Sequence, residues 1–107
     1  MHEPTHQLVI QFPDSAFADF DDLVDYEDAL IETLADDHEV DGHDIGSGEV
    51  NFFVFTAEPS TAFDLIRDAR DGALLSHPAV RAAARTVDGE TFEPLWPPSD
   101  NRPFRIL

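Results

Sequence analysis

An α+β fold is predicted, with an antiparallel sheet covered on one face by two helices, and three observations predict it. Gln7 to Phe12 alternates, so that Leu8, Ile10 and Phe12 face one way and Gln7, Val9 and Gln11 the other, as in a strand. Two later segments carry apolar residues at helical spacing: Leu23, Tyr26, Leu30 and Leu34 in one, Phe63, Ile66 and Ala69 in the other. Between them an acidic, Gly-punctuated stretch from Asp41 to Gly48 runs into Val50 to Thr56, the most apolar run in the chain.

Taken in order, residues 1–6 read as a loose end, and Pro13 stops the first strand. Asp21 or Asp22 is expected to cap the first helix. Acidic residues at its start suit the helix dipole, and Asp36 and Asp37 at its far end oppose it. A weakly specified polar strand follows over His38 to Ile45. Gly46-Ser47-Gly48 then reads as a hairpin tip, with Gly46 and Gly48 expected in conformations that disfavour a Cβ and Gly42 expected to matter less. Val50, Phe52 and Val54 share one face of the next strand, and Asn51, Phe53 and Phe55 the other. Both faces are apolar, which predicts a central strand covered on two sides.

Ser60 or Thr61 is expected to cap the second helix, with Asp64 in its first turn, Leu65 beside the buried stripe and Gly72 closing it. Val80 to Val87 reads as a strand, Asp88-Gly89 as a two-residue hairpin signal, and Glu90 to Leu95 as the return. Pro97-Pro98 ends that element. The whole chain is expected to be one domain, 1–107, with tails at 1–6 and 99–107.

The net charge of -17 is unevenly spread. Residues 1–50 hold 15 Asp/Glu and no Lys or Arg, whereas 51–107 hold 8 Asp/Glu and 6 Arg, so the halves carry -15 and -2. Such a surface repels phosphate backbones, which argues against nucleic acid as a partner. General adaptation to salt or genome composition explains acidity of this kind, and so does a basic partner. No run approaches the ~18 apolar residues of a membrane span, and the start lacks the pattern of a signal peptide. With no Cys in the chain, the expectation is a cytoplasmic protein without membrane attachment, disulfide or thiolate metal site.

The element order, strand-helix-strand-strand-helix-strand with an extra C-terminal hairpin strand, resembles the ferredoxin-like βαββαβ arrangement. Asp41-Gly42-x-x-Ile45-Gly46-Ser47-Gly48 before an aromatic strand also resembles small uncharacterised bacterial proteins of this layout. Neither resemblance implies one activity. RNA-binding relatives would need a basic residue where Gly48 stands and an outward aromatic on the first strand. Acylphosphatase-like enzymes would need an Arg and phosphate-binding backbone in Pro13 to Ala18, which has no Gly and no Arg. Asp37-x-Glu39-x-Asp41-Gly42 begins like a calcium loop, but its twelfth position is Gly48 and a strand follows. His38, Asp41, His43 and Asp44 share one turn-rich segment that could make a weaker cation site. Alternation puts Asp41 and His43 on one side and Asp44 on the other, so they do not converge without a bulge. No cofactor and no metal is expected.

Two functional classes remain. The first is a small acidic, non-catalytic binding or regulatory module, inhibitor- or immunity-like, with a basic protein partner. The second is a small dimeric enzyme or ligand-binding domain using a cavity on the open sheet face. The candidate binding residues are Asp41, His43, Asn51, Phe53, Phe55, Arg81 and Arg85. Arg81 and Arg85 stand about 13 Å apart on one face of their strand, suited to an anionic ligand or to the chain's own carboxylates. Val9, Phe53, Phe55 and Val87 make an apolar patch opposite the helices. Its expected cover is a second copy, forming a homodimer, or a tail bringing Trp96, Phe104 and Ile106 across it.

Overall fold

A computed structural model describes residues 5–34, 38–68, 80–89, 91–96 and 104. The elements are β1 (His6–Pro13), α1 (Phe20–Leu34), β2 (Glu39–Gly46), β3 (Glu49–Thr56), α2 (Pro59–Asp68), β4 (Arg81–Thr86) and β5 (Glu93–Trp96), with one 3-10 turn at Asp14–Ala16. The fold is α+β. Its five strands lie in the order β2-β3-β1-β4-β5, every neighbouring pair antiparallel. Five strands exceed the four of a plain ferredoxin-like sheet. The expected loose end at 1–6 is shorter than predicted, since His6 begins β1 and Thr5 donates its N–H to the Thr56 carbonyl at 3.2 Å. Residues 1–4, Asp36, Asp37, Ala69, the Gly72 cap, Glu90, the 97–98 stop and Ile106 lie outside the described residues.

β3 is an interior strand, as expected, and β1 lies at the middle of the five. Leu8 through Phe12 are all buried, so β1 is covered on both faces, whereas Phe53 and Phe55 of β3 are only half-buried. On the helix side, Leu8, Ile10, Phe12, Val50, Phe52, Val54 and Ala82 meet Leu23, Tyr26, Leu30 and Leu34 of α1 and Phe63 and Ile66 of α2. Phe12, Phe17, Tyr26 and Phe52 form an aromatic knot with ring centroids 5.2–5.9 Å apart, most of the pairs edge-to-face.

The helix starts differ from expectation because the chain offers better donors and acceptors one turn earlier. Asp19 caps α1: its Oδ1 accepts the Asp22 N–H at 2.8 Å, its carbonyl accepts the Leu23 N–H, and Asp22 Oδ2 reaches back to the Ala18 N–H. In α2 Pro59 takes the first helical position, where its missing N–H is no loss, and the Glu58 carbonyl accepts the Ala62 N–H at 3.0 Å. Asp64 consequently falls beyond the first turn and pairs with Arg67 at 3.4 Å, while Leu65 is exposed.

The turns also correct the prediction. Gly46 pairs with Glu49, leaving Ser47 and Gly48 as a two-residue loop with φ of 54° and 79°. Two positive φ values mark a type I′ turn. Gly46 is not among the positive-φ residues, but Gly42 is, at 137°. Gly48→Val is therefore expected to cost about 1–2 kcal/mol, and Gly46→Val close to nothing. Equal shifts of the urea midpoint in the two variants would contradict this assignment. Asp88-Gly89 closes a turn in which the Gly89 N–H reaches the Thr86 carbonyl at 2.9 Å, but β5 starts only at Glu93, so no tight two-residue hairpin forms. Val87 lies beyond β4 and is exposed.

Candidate functional site

The seven candidate residues do not converge. Asp41 and His43 stand on the edge strand β2, and the other five stand on the sheet face opposite the helices.

That face is largely filled from within the chain. Val9 and Ala83 are buried beneath Phe104, with Phe53 and Phe92 packed alongside. The Phe92 and Phe104 rings meet at 5.1 Å with their planes tilted by 57°, the Arg81 guanidinium lies 5.3 Å over the Phe104 ring, and that of Arg85 lies 5.8 Å over Phe92. Arg85 Nη1 also donates to the carbonyls of Thr86, Val87 and Gly89 at 3.0–3.1 Å, so it holds the turn after β4. Asn51 is buried, and its Oδ1 accepts from Gln11 Nε2 at 3.0 Å across the β1/β3 pair. That bond pairs a buried donor of Gln11 with a buried acceptor of Asn51, groups costly to bury unpaired. Phe55 is half-buried. Trp96 belongs to the other side, 5.8 Å from Phe63 and under the Arg67 guanidinium. Of the tail residues expected to cover this face, Phe104 does so.

A cleft of about 320 Å³ opens at one end of the sheet, between the start of α2 and the loop before β5. Its polar lining is His6, Ser60, Arg85, Thr86, Thr91 and Glu93, but the Arg85 head is tied to the carbonyls just named. Among the described residues no three His, Asp or Glu side chains stand together as metal ligands. No described helix is long and apolar enough to cross a membrane.

The β2 edge is different. Val40 pairs with Val54 and Gly42 with Phe53, so Asp41 is an extra residue in a bulge. One extra residue inverts the alternation beyond it. His43 and Ile45, opposite Phe52 and Val50, consequently lie on the helix face, and Asp44, opposite Asn51, lies on the other. The bulge thus leaves Asp44 on the opposite face and delivers the His43 ring to α1. There its Nδ1 meets Glu27 Oε2 at 2.8 Å, both side chains largely but not fully buried, with Phe20 and Phe52 rings at 6.0 and 6.2 Å. Protonated His43 makes an ion pair with Glu27; neutral His43 makes a hydrogen bond. Either one ties α1 to the edge strand.

Around that pair lies a surface that the candidate list omits. Phe20, Val24, Glu27 and Ile31 recur at helical spacing, one residue over from the buried stripe of α1. Phe20 is 58% exposed, Ile31 51% and Ile45 50%. Asp21, Asp25, Asp28 and Glu32 are exposed on α1, and Glu39, Asp41 and Asp44 are exposed on β2, Glu39 and Asp44 on the face away from α1. The signal was available in the sequence as a second apolar stripe at 20, 24 and 31, though only the bulge shows that it continues onto β2.

No protein-family model, no curated protein and no solved structure matches the chain.

Proposed function

We propose that the protein is a small acidic, non-catalytic binding module whose partner is a basic protein, engaged through the α1–β2 edge. The observation that carries this reading is the exposure of Phe20 and Ile31 on α1 and of Ile45 on β2, two elements that also expose the carboxylates of Asp21, Asp25, Asp28, Glu32, Glu39, Asp41 and Asp44. Apolar side chains left in water supply contact area, and the surrounding acids steer and select a cationic partner. Leaving β5 aside, the antiparallel order β2-β3-β1-β4 supports a ferredoxin-like sheet with one added edge strand, a layout that leaves β2 open.

The competing reading, a homodimer or ligand cavity on the open sheet face, has less support. Phe92 and Phe104 already cover Val9 and Ala83, and Arg85 is engaged with its own turn. Two chains of net charge -17 would also have to be brought together.

Affinity capture at low salt, with Asp25→Lys/Asp44→Lys as the control bait, tests the proposal. The parent should retain one stoichiometric basic protein that is released as salt rises and is not held by the control. Diffuse, sub-stoichiometric basic proteins on both baits would mean that the acidity serves no particular partner.

A further inference from the structure

Beyond the proposed acidic surface lies the question of how a partner would sit on it, and the open edge of β2 answers it. β2 pairs with β3 along one side and, among the described residues, with no strand along the other. An unpaired edge is a template for a further strand unless the chain blocks it. Glu39, Asp41 and Asp44 are exposed along this one. Charges of one sign block pairing with a second copy, whose edge carries the same acids, but not pairing with a strand of opposite charge.

The two faces of β2 set what that strand must carry. His43 and Ile45 lie on the helix face, with the exposed Phe20 ring 6.0 Å from that of His43 and Ile45 itself exposed, so an added side chain on that face meets apolar surface. Glu39, opposite Phe55, and Asp44, opposite Asn51, lie on the other face, where an added side chain meets carboxylates. Beyond the bulge, His43 to Gly46 pairs with β3 without interruption, which gives a regular length of edge to pair with. Side chains of an added strand alternate between these two faces.

We infer that the β2 edge takes up an extended segment of the basic partner as a sixth strand, with Lys or Arg alternating with aliphatic residues. This inference rests on the proposed acidic surface and adds backbone pairing to it.

A fluorescein-labelled octapeptide of alternating Lys and Val, titrated by anisotropy against the full chain at low salt, tests both levels. The second probe is the same peptide with alternate backbone nitrogens methylated, which keeps the charge but removes the donors. The unmodified peptide should bind, the methylated one about tenfold or more weaker, and amide exchange over 43–46 should slow only with the first. Ile45→Ser, a change at a half-exposed site, should weaken the unmodified peptide severalfold. Equal binding of the two peptides would overturn strand addition while leaving the acidic surface intact. Failure of both to bind would overturn the surface as well.

Discussion

Phe52→Ala is expected to destabilise the protein by about 3–5 kcal/mol, the largest effect of any single truncation proposed here. Phe52 is fully buried at the point where β3 meets α1, and its ring lies 5.3 Å from Tyr26, 5.8 Å from Phe12 and 5.9 Å from Phe17. Removing it takes away a large apolar surface and leaves a cavity walled by three rings whose backbones belong to β1, α1 and the loop between them. Those elements are held by the rest of the sheet, so the cavity will not collapse readily. Domains of this size have a total stability of about 5–15 kcal/mol, so the variant should unfold at far lower urea and be partly unfolded without it. Phe20→Ala is the comparison, because Phe20 is 58% exposed. Its midpoint should stay within about 0.5 kcal/mol of the parent. Similar losses at Phe20 and Phe52 would show that the aromatic knot is not the centre of the core.

What the sequence makes legible follows from period. The Leu8-Ile10-Phe12 alternation and the 23-26-30-34 stripe each announce a face, and those faces meet in the structure. Departures from period were not legible. A single extra residue at Asp41 sends His43 to the helix side, and nothing in the composition of a polar strand marks where such a bulge falls. The same bulge explains the φ of 137° at Gly42, whereas Gly46 stays extended because it pairs with Glu49. Long-range cover is equally silent in a local reading. Val9 and Phe53 were readable as an apolar patch, but their covering by Phe92 and Phe104 depends on contacts across 83 and 95 residues or fewer, which no short window contains. The candidate site suffered from both causes. Residues chosen for chemical type, such as Arg85 and Asn51, proved to be internal supports, whereas the exposed apolar residues of α1 and β2 are Phe20, Ile31 and Ile45, none of which the sequence singles out as a binding residue.

Phe104→Ala should lower stability by about 3 kcal/mol, a large effect for a residue so near the chain end. The ring is buried, it seals Val9 and Ala83 together with Phe53 and Phe92, and the Arg81 guanidinium rests on it at 5.3 Å. Truncation re-exposes the apolar face and removes the cation–π contact, which contributes about 0.5–1 kcal/mol where partly exposed. The helix-side core is untouched, so the variant should remain folded with near-parent far-ultraviolet dichroism and a lower urea midpoint. Sedimentation separates two accounts of the face. If Phe104 is its main cover, the parent sediments as a monomer at micromolar concentration, and Phe104→Ala acquires a concentration-dependent heavier species as the bared patch seeks a second copy. A dimeric parent that Phe53→Asp converts to monomer would instead assign the cover to the partner chain. A parent and a Phe104→Ala variant of equal stability would remove the tail from the account of the sheet face altogether.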